Sequence, residues 1–456
     1  MSSDWRSHVP RLEGLARKLG LDWSQVIFEA VPDSFMTEIA VYGLPVRMPH
    51  WSFGARYIYQ LLQRHMGYSR LFEVVFPGDP GHAYLAASNG LADNVLVTAH
   101  VLGHADFSKN NMLFRRCQDQ GSAHIIEHAA SHARQIERHI ESFGFNAVEQ
   151  VLDAALSLEQ YVDLDQSLRR EHYPEYAPTP AEPRDDPFRA RFATLDATPA
   201  APQTRKVRAP LPPHPERDLL WFIATYAPDM ESWERDIFLA VREESFYFYP
   251  VFATQIMNEG WASYWHARLL READFIPEET YLDAIKCHSD VVRPVATGEQ
   301  VALSINPYHL GFTLWEDIVK TSGIDAARRV MREDDDFSFL RNYLTREIAE
   351  EMGLFRYQRQ QHGQIKVVAA DIEELHENLL TDKYNFGAPR VSVTEVRNDG
   401  TLVLAHDSQL DGRGLDAERT AKVLEYIKRV WRRPVLLNTV DANAKAVVLS
   451  SEPATP

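Results

Sequence analysis

A mainly α-helical protein with a small α+β domain at its C-terminal end is the fold class this sequence predicts, on three observations. Between residues 57 and 378 apolar side chains recur over long stretches at helical spacing. The last part of the chain, about 65 residues, alternates apolar and polar positions around a turn signal. A proline-rich stretch with neither period interrupts the helical part. The 456 residues exceed what one core fills, so more than one compact unit is expected: a helical main domain over 1–385 and a tail domain over 386–456.

In chain order, Trp5 to Leu21 has helical spacing. Residues 45–56, PVRMPHWSFGAR, are too aromatic and too rich in proline for a plain helix, and are read as an ordered loop on the core. Helical pattern returns at Tyr57. Amphipathic helices are expected over 89–105 and 122–143, the second stopped by Gly144, and a third over about 147–161. Residues 174–215 hold about eleven of the 26 prolines. They read as an excursion within one domain, because the chemistry below needs both flanks to meet; a linker between independent domains is the alternative. Arg217 to Tyr249 and Phe252 to Leu270 read as helices divided at Pro250, which lacks the N–H a helix interior uses. Helix continues to about Asn378. In the tail, Arg390 to Val396 and Thr401 to Ala405 alternate around Asn398, Asp399 and Gly400, a β-hairpin. Leu415 to Trp431 is an amphipathic helix, and Val435 to Val440 and Ala446 to Leu449 are strands.

Composition narrows the function. The formal charge of −17, from 48 basic and 65 acidic side chains, argues against a nucleic-acid backbone or an anionic membrane surface as main partner. Two cysteines, Cys117 and Cys287, are too few for a disulfide framework and fit a reducing compartment. The charged first thirty residues do not read as a signal peptide, and no apolar run reaches the roughly 18 to 20 residues of a membrane span. A cytoplasmic protein is expected.

Two segments carry chemistry. In AHVLGHADFSKNN (99–111), His100 and His104 stand four apart, so on a helix they project from one face about a turn apart. That spacing suits two imidazoles on one metal ion; two ordinary hydrogen-bonded histidines are the alternative. In MNEGWASYWHARLL (257–270), Glu259 and His266 share a helix face. A buried carboxylate beside aromatic rings is costly unless it is paired or binds a cation. Zinc peptidases of the gluzincin kind take two histidines from one helix and a glutamate from a following one. In some of them the second helix reads Asn-Glu-Gly-Phe-Ala, which Asn258-Glu259-Gly260-Trp261-Ala262 resembles. The helical core would then be zincin-like, and a His, His, Glu set with an open position suits water attack on a carbonyl.

One position departs from that pattern: Val101 stands where those peptidases carry their general base. Glu243 and Glu244 in REESFYFYP (242–250) are candidates to replace it. His266 is a candidate acid–base group, further ligand or supporting partner, and His288 a more distant one. Lys109, Asn110, Asn111 and Asn258 are candidates to hold a carboxylate- or amide-bearing substrate; the first three equally suit a helix C-terminus. His124, Glu127 and His128 spell the motif of inverted zinc peptidases, but with His132, Arg134, Glu137 and Arg138 they read as a solvated helix face. No Gly-rich phosphate loop, nucleophile elbow or CxxC motif occurs.

PHWSFGARY (49–57), the two segments above, REESFYFYP, NPYHLGF (306–312) and RPVLLNT (433–439) together resemble the signature blocks of the SpoVR (stage V sporulation protein R) family, in family order. Among the positions that match are His100, His104, Lys109, Asn110, Asn111, Glu244, Asn258, Glu259 and His266. The resemblance implies a cytoplasmic bacterial protein, tied in spore formers to the peptidoglycan cortex. In other bacteria it implies a stress context shared with a serine protein kinase and a von Willebrand-like partner. Two functions are expected from these readings. One is a hydrolase of an amide or peptide bond, such as one in a peptidoglycan fragment, using a divalent metal, zinc or alternatively iron. The other is a regulatory or scaffolding protein linked to the kinase.

Overall fold

The computed structural model describes residues 5–65, 72–119, 124–166, 210–292, 306–352, 354, 356–359, 365–369, 379–380, 383, 387–412, 414–441 and 444–451. Most of the proline-rich stretch, 174–209, lies outside the described residues. Helix dominates, with a small α+β unit at the end of the chain, the expected class.

The N-terminal part adds a sheet that periodicity did not reveal. Helix α1 (Val9–Lys18) leads into strand β1 (Val26–Val31), then helices α2 (Asp33–Tyr42) and α3 (Trp51–His65) and strands β2 (Glu73–Phe76) and β3 (Gly81–Ala86). The order is β1-β3-β2, with β1 and β3 parallel and β2 antiparallel to β3. Runs of four to six residues are too short for their period to separate strand from helix. Half of the expected loop at 45–56 is also helix. Pro45 and Pro49 both precede Trp51, so helix forms as soon as the prolines are passed.

Helices α4 (Leu91–Asn110), α5 (Met112–Asp119), α6 (Ile125–Phe143) and α7 (Phe145–Ser157) follow. Beyond the proline-rich stretch come α8 (Leu219–Tyr226), α9 (Ser232–Ala253), α10 (Gln255–Glu272), α11 (Glu278–Val292), α12 (Pro307–Ser322), α13 (Ile324–Glu333), α14 (Asp336–Tyr343) and α15 (Arg346–Glu351). Helix α4 is not the amphipathic surface helix expected: every residue from Asn94 to Gly103 is buried, so it runs through the core. The long helix expected from Arg217 is two, parted at Ala227 to Glu231 around Pro228. Pro250 does not divide the next pair. It sits in the last turn of α9, and the break falls at Thr254, whose backbone N–H and hydroxyl both donate to the Pro250 carbonyl. Strands β4 (Arg356–Arg359) and β5 (Ile365–Ala369) pair where helix was expected to continue.

Small residues set the spacing of the central helices. A Cβ added at Gly103 of α4 would lie 2.6 Å from the Ala262 Cα of α10. One added at Gly260 of α10 would lie 2.3 Å from the Gly311 carbonyl carbon of α12, and one at Gly311 would lie 2.1 Å from the Ile256 carbonyl oxygen. Backbones therefore meet with no side chain between them, α10 between α4 and α12. Asp336 caps α10 from outside the helix, accepting from the Ile256 and Met257 N–H groups at 2.9 Å. Trp261, Trp265 and Trp315, all fully buried, fill the space around this junction.

In the tail, β6 (Val391–Val396), β7 (Leu402–His406), α16 (Ser408–Asp411), α17 (Ala417–Trp431), β8 (Val435–Val440) and β9 (Ala446–Ser450) form a sheet in the order β6-β7-β8-β9, with β7 and β8 parallel. Its apolar face does not close on itself. Val393, Leu402, Leu404, Leu424 and Trp431 share one core with residues of α7, α8 and α9, and Trp431 stacks on Phe222. Buried His406 ties α16 to the sheet between Thr439 and Asp411. No helix among the described residues is long and apolar enough to cross a membrane.

Replacing Gly260 with Ala drives a methyl into the α12 backbone and is expected to cost at least about 2 kcal/mol. Gly54→Ala, with nothing within 4 Å of the new carbon, is expected to be neutral or to stabilise by up to about 1 kcal/mol. Urea unfolding of the two variants beside wild type checks both; equal losses would remove the packing argument.

Candidate metal centre

The α4–α10 junction brings the two segments singled out in the sequence face to face. His100 and His104 project from α4 toward Glu259 on α10, and each Nε2 lies 3.4 Å from Glu259 Oε2. One ligand atom from each of the three lies within 4.8 Å of the others. Donors about 2.1 Å from a tetrahedral cation stand roughly 3.4 Å apart, so the spacing of Glu259 from each imidazole is that of a ligand set. His100 is buried, and His104 and Glu259 are partly exposed, at 12% and 23% of their side chains. Within this core His100 Nε2 and Glu259 Oε2 make no hydrogen bond among the described residues, an arrangement a protein interior rarely leaves uncompensated.

The outer nitrogens, by contrast, are engaged. His104 Nδ1 lies 2.8 Å from Asn258 Oδ1, which can only accept, so Nδ1 carries a proton and in the neutral ring Nε2 holds the lone pair. Burial opposes the charge of this ring, yet Glu259 raises its pKa. His100 Nδ1 lies 2.9 Å from His266 Nδ1, and His266 Nε2 lies 2.5 Å from His288 Nδ1. If His100 donates along this chain, its Nε2 too faces Glu259 as a lone pair. Burial and then the neighbouring imidazole of His100 hold His266 well below the usual histidine range, which keeps it neutral. Although burial opposes its ionisation, the imidazoles of His104 and His100 hold the Glu259 carboxyl well below the usual carboxylate range.

Two further residues complete the site. Glu73 of β2 places Oε1 3.9 Å from His100 Nε2, and burial, reinforced by Glu259, pushes its carboxyl up. Tyr308 of α12 stacks on the His100 ring, 6.2 Å between centroids. The Glu259 charge and then burial keep its phenol well above the usual range, hence protonated. Sequence reasoning missed Glu73, which stands alone in a short strand with no motif around it. Tyr308 lay within the NPYHLGF block, with nothing in its spacing to single it out.

The other candidates sit elsewhere. Val101 is fully buried in the apolar core, so a base at that position would face leucines and tryptophans, not the triad. Glu244 is fully buried and accepts from Arg47 Nε at 2.6 Å; its other neighbour is His132 at 3.6 Å, and no contact joins it to the triad. Lys109 pairs with Asp22, and Asn110 donates to the Asp22 and Asp106 carbonyls. Asn111 donates to the Met331 and Asp334 carbonyls and accepts from Leu113 N–H. These three brace the end of α4. Asn258 serves His104. The histidines of α6 are not a purely solvated face: His128 pairs with Glu243, and His132 lies between Glu243 and Glu244.

A family model described as SpoVR like protein matches residues 3–387, and one described as SpoVR-like C-terminal domain matches residues 389–442. The chain belongs to the SpoVR family. It is similar to the uncharacterized protein YcgB of Escherichia coli (strain K12), 28% identical over 482 aligned residues that cover 98% of this chain and 94% of that one. No solved structure matches the chain.

Two outcomes follow from this geometry. His266→Ala removes the partner of His100 and is expected to weaken divalent-metal affinity about 10- to 100-fold, read by zinc titration against a chromophoric chelator; unchanged affinity would deny the supporting role. Burial opposes the His132 charge, yet Glu243 and Glu244 outweigh it and raise its pKa to about 9. The folded value exceeds the unfolded one, so the stabilisation is complete below pH 6.5 and fades as pH rises through 9. Wild type should exceed His132→Gln by about 2 kcal/mol more at pH 6 than at pH 9.5, and a pH-independent gap in denaturant unfolding would contradict the pairing.

Proposed function

We propose that the chain is a metal-dependent hydrolase of an amide or peptide bond, with His100, His104 and Glu259 as ligands. The observation that carries this reading is the convergence of those three donor atoms, with His100 Nε2 and Glu259 Oε2 left unsatisfied in a core whose other polar groups are mostly paired. A divalent cation bound there supplies carbonyl polarisation and a water acidic enough to ionise near neutral pH. Zinc suits two imidazoles and one carboxylate, and iron is the alternative for the same donors.

The remaining roles belong to the chain. Asn258 and His266 orient His104 and His100 so that each presents Nε2. Glu73, the carboxyl nearest His100 outside the triad, takes the proton from water and passes it to the leaving amine, and its raised pKa suits both transfers. The Tyr308 phenol, kept protonated beside Glu259, is the donor available to stabilise an oxyanion there. Glu73 thereby takes over the task that Val101 cannot perform.

The substrate class we propose is a peptide-bearing peptidoglycan fragment in the cytoplasm, supported by family membership and by the amide chemistry of a His, His, Glu site. The regulatory reading, with the serine protein kinase and the von Willebrand-like protein as partners, draws support from the same membership and from Val101.

Untagged protein is expected to carry about one equivalent of zinc or iron by elemental analysis, and His100→Ala and Glu259→Gln to lose it. Glu73→Gln should retain the metal while amide hydrolysis of muropeptides falls about 100-fold or more. Less than about a tenth of an equivalent in wild type after reconstitution would end the metal reading. Full metal with wild-type complementation by Glu73→Gln would end the hydrolase reading alone.

A further inference from the structure

A cavity of about 380 Å³ opens along the side of β2, bounded by α2, the chain before α3, and the end of α9. Its volume falls in the range of small-ligand sites. The walls are largely apolar and aromatic, with Tyr42, Phe248 and Phe252 prominent, and the Phe252 ring is half exposed at the edge.

Three polar residues belong to its lining. Tyr247 is 94% buried, counting from its 6% exposure, and its hydroxyl has no hydrogen-bond partner among the described residues. Burial without a partner pushes this phenol up, so it stays protonated and can donate. Arg47 is held in place: its guanidinium lies 5.0 Å from both the Phe53 and Phe248 rings. Nε donates to fully buried Glu244 at 2.6 Å and Nη1 to the Tyr42 carbonyl at 3.3 Å. Among the described residues Nη2 reaches Glu159 alone, at 3.5 Å, a partner 31% exposed and so free to swing away. Arg56 is exposed on the same cavity, and among the described residues its contact is a distant one, to the Phe53 ring.

Arginine can only donate, so this set asks for an acceptor, and a planar anion matches the guanidinium fork. The walls ask for an apolar body. We propose that this cavity is a binding site for a carboxylate-bearing ligand with an apolar body, the carboxylate on Arg47 and Arg56 and a second acceptor, or the carboxylate edge, on the Tyr247 hydroxyl. The ligand carboxylate displaces Glu159 from Nη2, while Glu244 stays behind Arg47 as the group that aims it. Glu244, a candidate base in the sequence, thus acts as a positioning residue for this second site. The inference uses none of the metal ligands and stands whether or not a cation binds at Glu259.

Arg47 variants strand the buried Glu244 charge and risk misfolding, so Arg56→Gln and Tyr247→Phe carry the test. Full-length protein is titrated with the anionic fluorophore 1-anilinonaphthalene-8-sulfonate, with near-ultraviolet circular dichroism monitoring the native fold, and the fluorophore is displaced with decanoate or decanol. Saturable binding near one site per chain is expected, with decanoate displacing it at least about tenfold better than decanol. Each variant should weaken decanoate about three- to tenfold with melting temperature and metal content unchanged. Absence of saturable binding, equal competition by the neutral alcohol, or unchanged decanoate affinity in both variants would each overturn the proposal.

Discussion

Backbone contact between α10 and its two neighbours is the constraint on which the rest of this structure depends. Gly103 against Ala262, and Gly260 against Gly311, let three helices approach with no side chain between them. The site residues lie within a turn of those contacts: His100 and His104 beside Gly103, Glu259 beside Gly260, Tyr308 three residues before Gly311. Side chains no longer than histidine and glutamate meet across the α4–α10 junction only because the axes are this close. The tryptophans around it then exclude water, which makes every polar group inside expensive unless it is paired.

That cost explains the pattern of hydrogen bonds around the triad. Asn258 meets one imidazole, His266 the other, and His288 meets His266 in turn. Trp261 donates to Asp106 at 2.8 Å and Trp315 to the Met257 carbonyl at 3.0 Å, so two of the three tryptophans around the junction are tied. At the centre, His100 Nε2 and Glu259 Oε2 have no hydrogen-bond partner among the described residues, and the same holds for Ser263 Oγ and Trp265 Nε1 further along the helix of Glu259. The tail belongs to the same economy of burial: its sheet covers α7 and α8 with a face it cannot bury alone.

Part of this was legible in the residues. A four-residue spacing of histidines on a helix fixes their common face whatever surrounds it, and the Asn-Glu-Gly-Trp-Ala block marked the second helix. The tail hairpin was legible because alternation and an Asn-Asp-Gly turn agree, and Gly400 does adopt a positive φ of 88°. The N-terminal sheet was not, since β2 has four residues and β1 finds its partner β3 only across the intervening helices α2 and α3. Glu73 was hidden with it. Glu244 looked like a base because an acidic pair on a helix near Pro250 says nothing about which neighbour each carboxylate meets, and that neighbour proved to be Arg47.

By itself, then, the order of residues determined what is local: helix and hairpin periods, the shared face of His100 and His104, the charge balance, and the residue types able to ligate or ionise. The tertiary structure alone decided what depends on non-local approach. Glu73 at the triad, Tyr308 over His100, and Lys109, Asn110 and Asn111 turned to bracing a helix end are outcomes of that kind. The physical reason is that a side chain's chemistry is intrinsic, while its partners and its burial are set by packing between segments far apart in the chain, as with Arg47 and Glu244, 197 residues apart.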